Sequence, residues 1–323
     1  MAAARIFSHD DYTVGWICAL PLELAAAMAM LDDIHPDLPV RPNDRNIYTL
    51  GRIGAHNVVV TCCPGVYGTI SAATAATQMY CSFKSIRYGL MVGIGAGVPS
   101  MEADIRLGDI VVSKPTKNSG GVVQYDFGKI ITAGHFERTG MLNRPPQMLL
   151  RAIEKLQTAH LRNGTRMPTY LSEMVAKYPR MSNFIYPSQQ QDRLFQAAYD
   201  HVGSNVTCDD CDDSRLVDRP TRDTNDPTIH YGLIGSGNRV IKNSSSRDQL
   251  ARELGVLCLE MEVAGLMDFF PCLVIRGIGD YADSHKNKTW QRYAAATAAA
   301  YAKEIISVIP TNQVAKVPTI ATW

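Results

Sequence analysis

Short apolar runs alternate with amphipathic or alanine-rich stretches along most of this chain. Residues 12–20 form a compact apolar run with aromatic and β-branched members. Pro21 ends it, and the Ala, Leu, Glu and Met that follow predict a helix over 21–30, because proline is tolerated in a first helical turn. A second strand is predicted over 57–63, a helix over 69–83, and a third strand over 88–92 that runs into the glycine cluster 93–97. A fourth strand covers 109–112. The regular pattern resumes with a strand over 229–234, a helix over 246–254, a strand over 256–261, a helix over 263–270 and a strand over 272–278. A closing helix over 290–308 contains Ala294, Ala295, Ala296, Ala298, Ala299 and Ala300, the strongest helix-forming stretch in the chain. Strands alternating with helices imply βαβ units, hence an α/β fold with a mixed or parallel sheet covered on both faces. Between 117 and 228 the pattern weakens, apart from an amphipathic stretch over 148–161. This region reads as a long insertion or mobile segment within one domain spanning 1–323, and there is no internal repeat.

Composition narrows the function classes. With 32 basic and 31 acidic side chains the formal charge is +1, which leaves no electrostatic footprint for nucleic acid or a membrane surface. No apolar run reaches the roughly 20 residues of a membrane span, and the N-terminus lacks the apolar core of a secretory signal. The eight cysteines are too sparse for a disulfide scaffold. Several (Cys18, Cys62, Cys63, Cys272) lie in apolar strands, as buried reduced thiols of an intracellular, cytoplasmic protein do.

Candidate chemistry collects at strand ends. Glu260-Met261-Glu262 closes an apolar strand, where open α/β sheets bind ligands. If the strand persists, Glu260 and Glu262 face the same side. The competing reading is that these carboxylates start the following helix, where the dipole favours negative charge. In Arg276-Gly277-Ile278-Gly279-Asp280 another apolar strand ends in glycines and an aspartate. Asp280 there is either a general acid or part of an Asx turn, with Asp283 or Ser284 as a local cap. Gly93-Ile94-Gly95-Ala96-Gly97 lacks the G-x-G-x-x-G spacing of a dinucleotide fingerprint. Cys208-Asp209-Asp210-Cys211 is a single C-x-x-C pair with no second pair, and the nearest downstream histidine is the lone His230, so no metal site and no cofactor is assigned. The run from His285 to Lys288 reads as a solvated loop.

Three of these features occur in the order that marks the purine nucleoside phosphorylase / 5′-methylthioadenosine nucleosidase superfamily. Over residues 12–113 and 229–309 the chain resembles its nucleosidase branch, and within it the purine nucleosidases of fungi and their relatives fused to larger receptors. The resemblance implies a single-domain three-layer sandwich with a central mixed, partly barrel-like sheet. In that family the dipeptide M-E, here Met261-Glu262 preceded by Glu260, supplies a glutamate that holds the ribose hydroxyls. The family's S-D dipeptide supplies the acid for purine N7; here it reads Gly279-Asp280, so the aspartate is kept and its orienting serine is lost. An aromatic residue ten positions on, covering the sugar, falls on Trp290. The glycine loop, with Gly95 and Ala96, lies against base and sugar, and the segment 236–241 implies that Val240 and Ile241 border the purine.

The resemblance also bears on the nucleophile. Hexameric phosphorylases place phosphate-binding arginines in the first strand-to-helix turn and just before the glycine loop; here those positions are Glu23 and Met91. A carboxylate repels phosphate but takes a proton from water, and Glu23 matches the glutamate that positions water in the nucleosidase branch. Its alternative is an exposed first-turn residue favoured by the helix dipole. The implied activity is hydrolysis of purine ribonucleosides by Asp280, Glu23 and Glu262, with purine nucleoside and water as partners and a homo-oligomer, dimer or higher, as the assembly. The rivals are a phosphorylase and a nucleoside sensor without turnover; the expectation, from an end soon after the closing helix, is that no signalling module is fused.

Overall fold

The computed structural model describes residues 6–116, 118–132, 135–187, 192–203, 207–311 and 319–320. It is an α/β structure around one ten-stranded mixed sheet. The first unit is β1 (Val14–Cys18), α1 (Pro21–Met30), a short β2 (Asp33–Ile34), β3 (Tyr48–Ile53) and β4 (His56–Cys62). Then come α2 (Thr69–Ser82), β5 (Tyr88–Gly97), β6 (Ile110–Ser113) and β7 (Val122–Gln124), followed by a separate hairpin of β8 (Gly128–Ile130) and β9 (Phe136–Arg138). The chain continues through α3 (Gln147–Asn163), α4 (Met167–Lys177), β10 (Ile229–Ser236), α5 (Ser244–Leu254), β11 (Val256–Glu260), β12 (Cys272–Asp280) and α6 (Gln291–Val308).

The strands run in the order β11-β10-β6-β12-β5-β1-β4-β3-β2, with β7 beside β10. A further pairing joins β5 to β11, so five strands close into a ring and the rest form an open wing. This is the partly barrel-like sheet that the resemblance implies. Closure depends on the length of β5. Its first half pairs in parallel with β1, from Val14 opposite Tyr88 to Ile17 opposite Met91. Its last residues turn to β11, where Gly97 and Ala96 oppose Cys258 and Leu259 in antiparallel fashion. The cluster expected to be a loop is therefore strand throughout. Glycines at alternate positions let one strand bend between two partners, and side chains would not fit: a Cβ on Gly95 would collide with the Cys258 sulfur.

Two apolar layers cover the sheet. One packs α1, α3, α4 and α6 against one face, with Trp16, Leu90, Ile275 and the alanines of α6 at its centre. The other places α2 and the 263–270 region on the opposite face around Ile17, Met79, Met91 and Phe270. β12 is buried along its whole length, as a strand covered on both faces must be. The backbone of α6 sits so close that a Cβ on Gly277 would overlap the Ala294 carbonyl. The stretch 117–228, which lacks a clear pattern in the sequence, supplies β7, α3 and α4, and both helices pack on α6. The helix expected over 263–270 is only a 3-10 turn, Val263–Gly265, followed by irregular turns. Gly265 explains part of this, since its backbone lies against Thr69 with no room for a side chain.

Candidate active site

The site begins with a charge in the wrong place for a core. Arg276 lies in the middle of β12 and is fully buried, a position that costs several kcal/mol unless the charge is paired. Its Nη2 donates to Glu260 at 2.5 Å and to Glu262 at 3.4 Å, and its Nη1 donates to the carbonyl of Ile94 at 3.2 Å. A third carboxylate, Glu23, approaches the same guanidinium across Gly93. A Cβ on Gly93 would lie 2.5 Å from Glu23 Oε1 and 2.7 Å from Arg276 Nη1, so this position admits only glycine.

Each acid is held by backbone N–H groups that its own fold element supplies. Glu23 stands in the first turn of α1, yet it is buried, which removes the exposed-helix alternative. Its Oε2 accepts from Ala19 at 2.7 Å and Leu20 at 3.0 Å, and its Oε1 accepts from Ile94 at 2.8 Å. Burial nevertheless pushes its carboxyl above the usual range, with Arg276 and these donors pulling the other way. Glu260 ends β11, where antiparallel pairing with β5 returns it beside the glycine run. It accepts from the N–H of Glu262 at 3.0 Å and of Val263 at 3.1 Å, so it both pairs with Arg276 and starts the 3-10 turn. The strand stops there. Glu262 is the residue before that turn and does not continue the alternation of β11. Burial lifts the Glu262 carboxyl to about 8 against the pull of Arg276, with the neighbouring Glu260 and Glu23 adding to the rise.

Asp280 ends β12 at a β-bulge. Ile278 opposes Gly95 and Asp280 opposes Ala96, so Gly279 is the extra residue. A bulge re-aims the side chain that follows it. The Asp280 Oδ1 accepts from Ala282 N–H at 3.0 Å, holding Ala282 at φ 54°, a left-handed conformation uncommon for alanine. Its Oδ2 lies 2.9 Å from the Lys286 ammonium. Residues 285–288 are thus not simply a solvated loop: His285 is buried, and Lys286 reaches into the site.

Glu23, Glu260, Met261, Glu262 and Asp280 all line one cavity of about 520 Å³, together with Gly95, Ala96, Val240 and Ile241. That volume is within the range of small-molecule sites, about 300–1,000 Å³. Two expected residues lie elsewhere. Trp290 is buried against Tyr186 and Tyr293, and it and Gly279 border a separate pocket on the far side of Asp280. The aromatic rings in the main cavity are Tyr67 and Tyr125. Tyr125 donates its hydroxyl to the Arg239 carbonyl at 2.8 Å, pinning the segment that carries Val240. Arg239, Lys288 and Arg292 add positive charge to the cavity lining. The one signal in the sequence for Arg276 is an arginine inside an otherwise apolar strand; Tyr67 and Tyr125 carry none.

Chemically, this is a partly open apolar and aromatic pocket with four carboxylates on its wall and an arginine beneath three of them. It suits a ligand with several hydroxyls or ring nitrogens, and a reaction in which protons move at two separate points.

The family model of the phosphorylase superfamily matches residues 13–308. A nucleotide-binding leucine-rich repeat (NLR)-like protein of Hyaloscypha variabilis is 50% identical over 301 residues, which is 93% of this chain and 30% of that protein; the chain thus spans under a third of that relative's length. The 5′-methylthioadenosine/S-adenosylhomocysteine nucleosidase of Mycobacterium tuberculosis is 25% identical over 92% of this chain and 97% of its own. Among solved structures, the futalosine hydrolase of Helicobacter pylori superposes with a TM-score of 0.58 at 16% identity, covering 93% of this chain and 99% of its own. The 5′-methylthioadenosine/S-adenosylhomocysteine nucleosidase of the same organism gives 0.58 at 14%, over 92% and 98%.

Proposed function

The chain belongs to the phosphorylase superfamily, and from that premise we propose that it is a purine nucleosidase, cleaving the N-glycosidic bond of purine ribonucleosides with water. The observation that carries this reading is the meeting of Glu23, Glu262 and Asp280 in one cavity. Breaking a ribosyl C–N bond builds positive charge on the sugar and negative charge on the base. Asp280, at the end of β12, protonates the departing purine at N7, a contribution of about 10²–10⁴-fold for a well-placed acid. Glu262 accepts from the ribose hydroxyls and, when ionised, stabilises the oxocarbenium-like sugar as carboxylates do in glycosidases. Glu23, whose oxygens are already fixed by three N–H groups, takes a proton from the attacking water. Tyr125, Met261, Val240 and Ile241 supply apolar surface for the base. Arg276 is a positioning residue: it keeps like-charged carboxylates close together. The nucleosidase names carried by relatives on this fold support the same reading.

Hydrolysis is favoured over phosphorolysis because both terminal nitrogens of the buried guanidinium are already engaged by Glu260, Glu262 and the Ile94 carbonyl. A second reading has its own support in Arg239, Lys288 and Arg292 on the lining. These fit an anion, either inorganic phosphate as the nucleophile or a charged group on the sugar 5′ carbon. Release of free base from adenosine, inosine, guanosine and their 5′-substituted forms, each with and without phosphate, tests both. Turnover in phosphate-free buffer is the expected result; strict dependence on phosphate overturns hydrolysis, and no base release from any of them overturns the enzymatic reading.

A further inference from the structure

On the far side of Asp280 a second group of reactive side chains converges, and none of them takes part in the chemistry above. His201, Cys208 and Cys211 each bring one ligand-type atom to within 4.8 Å of the other two. Ligand atoms around a tetrahedral zinc ion lie about 3.3–3.8 Å apart, given Zn–S near 2.3 Å and Zn–N near 2.0 Å, so closing the set needs movements of about 1 Å. Both cysteines are free thiols and buried, packed with Phe195 in a small apolar cluster of their own. The histidine is the ligand that the C-x-x-C motif lacks in sequence. It lies seven residues upstream, not downstream.

A second, independent observation points the same way. His285 is 94% buried, given its 6% exposure, and neither of its ring nitrogens has a hydrogen-bond partner. An imidazole so enclosed and unpaired is costly to keep. Its ring lies flat on Phe195 at 4.1 Å and 5.6 Å from the ring of His201, and the Cys208 sulfur lies 4.0 Å from the His285 carbonyl oxygen. Beside it, Asp283 Oδ2 is also buried and without a hydrogen bond, 4.0 Å from His285 Nδ1 and 3.9 Å from Arg247 Nη1. A ring rotation that gave Asp283 the Nδ1–H would leave Nε2 as the free ring nitrogen. That is the carboxylate–histidine–metal relay that holds ligating histidines elsewhere. His201 is braced similarly, with Nε2 3.0 Å from the Thr207 carbonyl, which leaves its other nitrogen available as a donor.

We propose that His201, Cys208, Cys211 and His285 form a structural site for a zinc-type divalent cation. The donor set, two thiols and two imidazoles with C-x-x-C spacing, is that of a closed tetrahedral zinc site with no position left for water or substrate. On binding, each thiol releases its proton to solvent and both imidazoles bind as neutral ligands. The ion ties the segment that carries the cysteines to the loop 283–288. Lys286 of that loop reaches Asp280, and Ser284 receives the backbone N–H of His201 at 3.0 Å. The cation is thus a clamp behind the acid, outside the cavity where substrate sits.

The test is metal content and cobalt spectroscopy on the full chain, neither of which depends on the substrate. Protein expressed with zinc supplied and then dialysed against metal-free buffer should retain one zinc per chain by plasma mass spectrometry. Exchange with Co²⁺ should yield the visible bands of a tetrahedral site and thiolate-to-cobalt charge transfer. C208S/C211S should hold no zinc and lose both signals. H201C, which keeps four ligands, should still bind and guards against loss through misfolding alone. H285A should keep the charge transfer but shift the visible bands as water replaces the ring. Wild-type protein that takes up neither metal, a Cys208–Cys211 disulfide in the freshly purified chain, or a double variant that binds as well as wild type each overturns the site; unchanged bands in H285A remove His285 from it.

Discussion

The Lys286 ammonium lies 2.9 Å from Oδ2 of Asp280, so the carboxyl proposed to protonate a leaving base is paired with a cation that itself lines the substrate cavity. For Asp280 to deliver a proton, this pair must open or Lys286 must shift when the base arrives.

Removing either partner has separable effects. D280N should lose about 10²–10⁴-fold in kcat/KM, the usual worth of a general acid, while its melting temperature stays near that of wild type. K286M should remain active, because the ammonium pairs with Asp280 but has no proton to transfer in the proposed reaction. A D280N enzyme of near wild-type rate would remove Asp280 from the mechanism.

Arg276 is buried among carboxylates, and its loss strands them. R276M should be destabilised by about 3–5 kcal/mol, the range for breaking one side of a buried ion pair, read as a lower urea midpoint. R276M with E260Q and E262Q should recover part of that loss. A single R276M as stable as wild type would show that the charges are not mutually compensating.

Glu262 makes stability depend on pH with a defined sign. Its folded carboxyl is raised to about 8 from an ordinary 4.5, so the native state holds a proton that the unfolded chain releases. That contribution is complete below about 4.5 and is lost as pH rises through about 8. Between pH values of about 5 and 8, wild-type melting temperature should therefore fall more steeply than that of E262Q. Parallel curves would mean that Glu262 is ionised throughout.

Two glycines should respond oppositely to added side chains. G93A drives a methyl to within 2.5 Å of Glu23 and should cost about 1–3 kcal/mol through overpacking, with loss of activity. G279S meets nothing nearer than the Gln291 side chain at 3.6 Å, so its stability should change by less than about 0.5 kcal/mol. It restores a hydroxyl one residue before Asp280, and its pH profile reads whether that hydroxyl orients the acid.

Much of this molecule is written locally. The helix Pro21–Met30 starts and ends where its proline and apolar pattern say, and β4, α2, β6, β10 and α6 fall within a few residues of their sequence signals. The reason is physical: an element buried on one or both faces needs a 3.6- or 2-residue pattern or a continuous apolar run, and those are visible in a short window. The ends of β11 and β12, with Glu260 and Asp280, are legible for the same reason. What the windows do not contain is pairing. The glycines 93–97 become strand because β11 arrives to pair with them. The helical pattern over 263–270 yields to a 3-10 turn where Gly265 meets Thr69. Trp290 goes to Tyr186 and Tyr293 instead of the cavity. Glu23, Glu260 and Glu262 share one arginine, and His201, Cys208 and Cys211 come together, only because chain closure brings distant residues side by side. Local sequence chose the elements and put acids at their ends; long-range packing, whose energy depends on partners many residues away, decided which of those acids face one another.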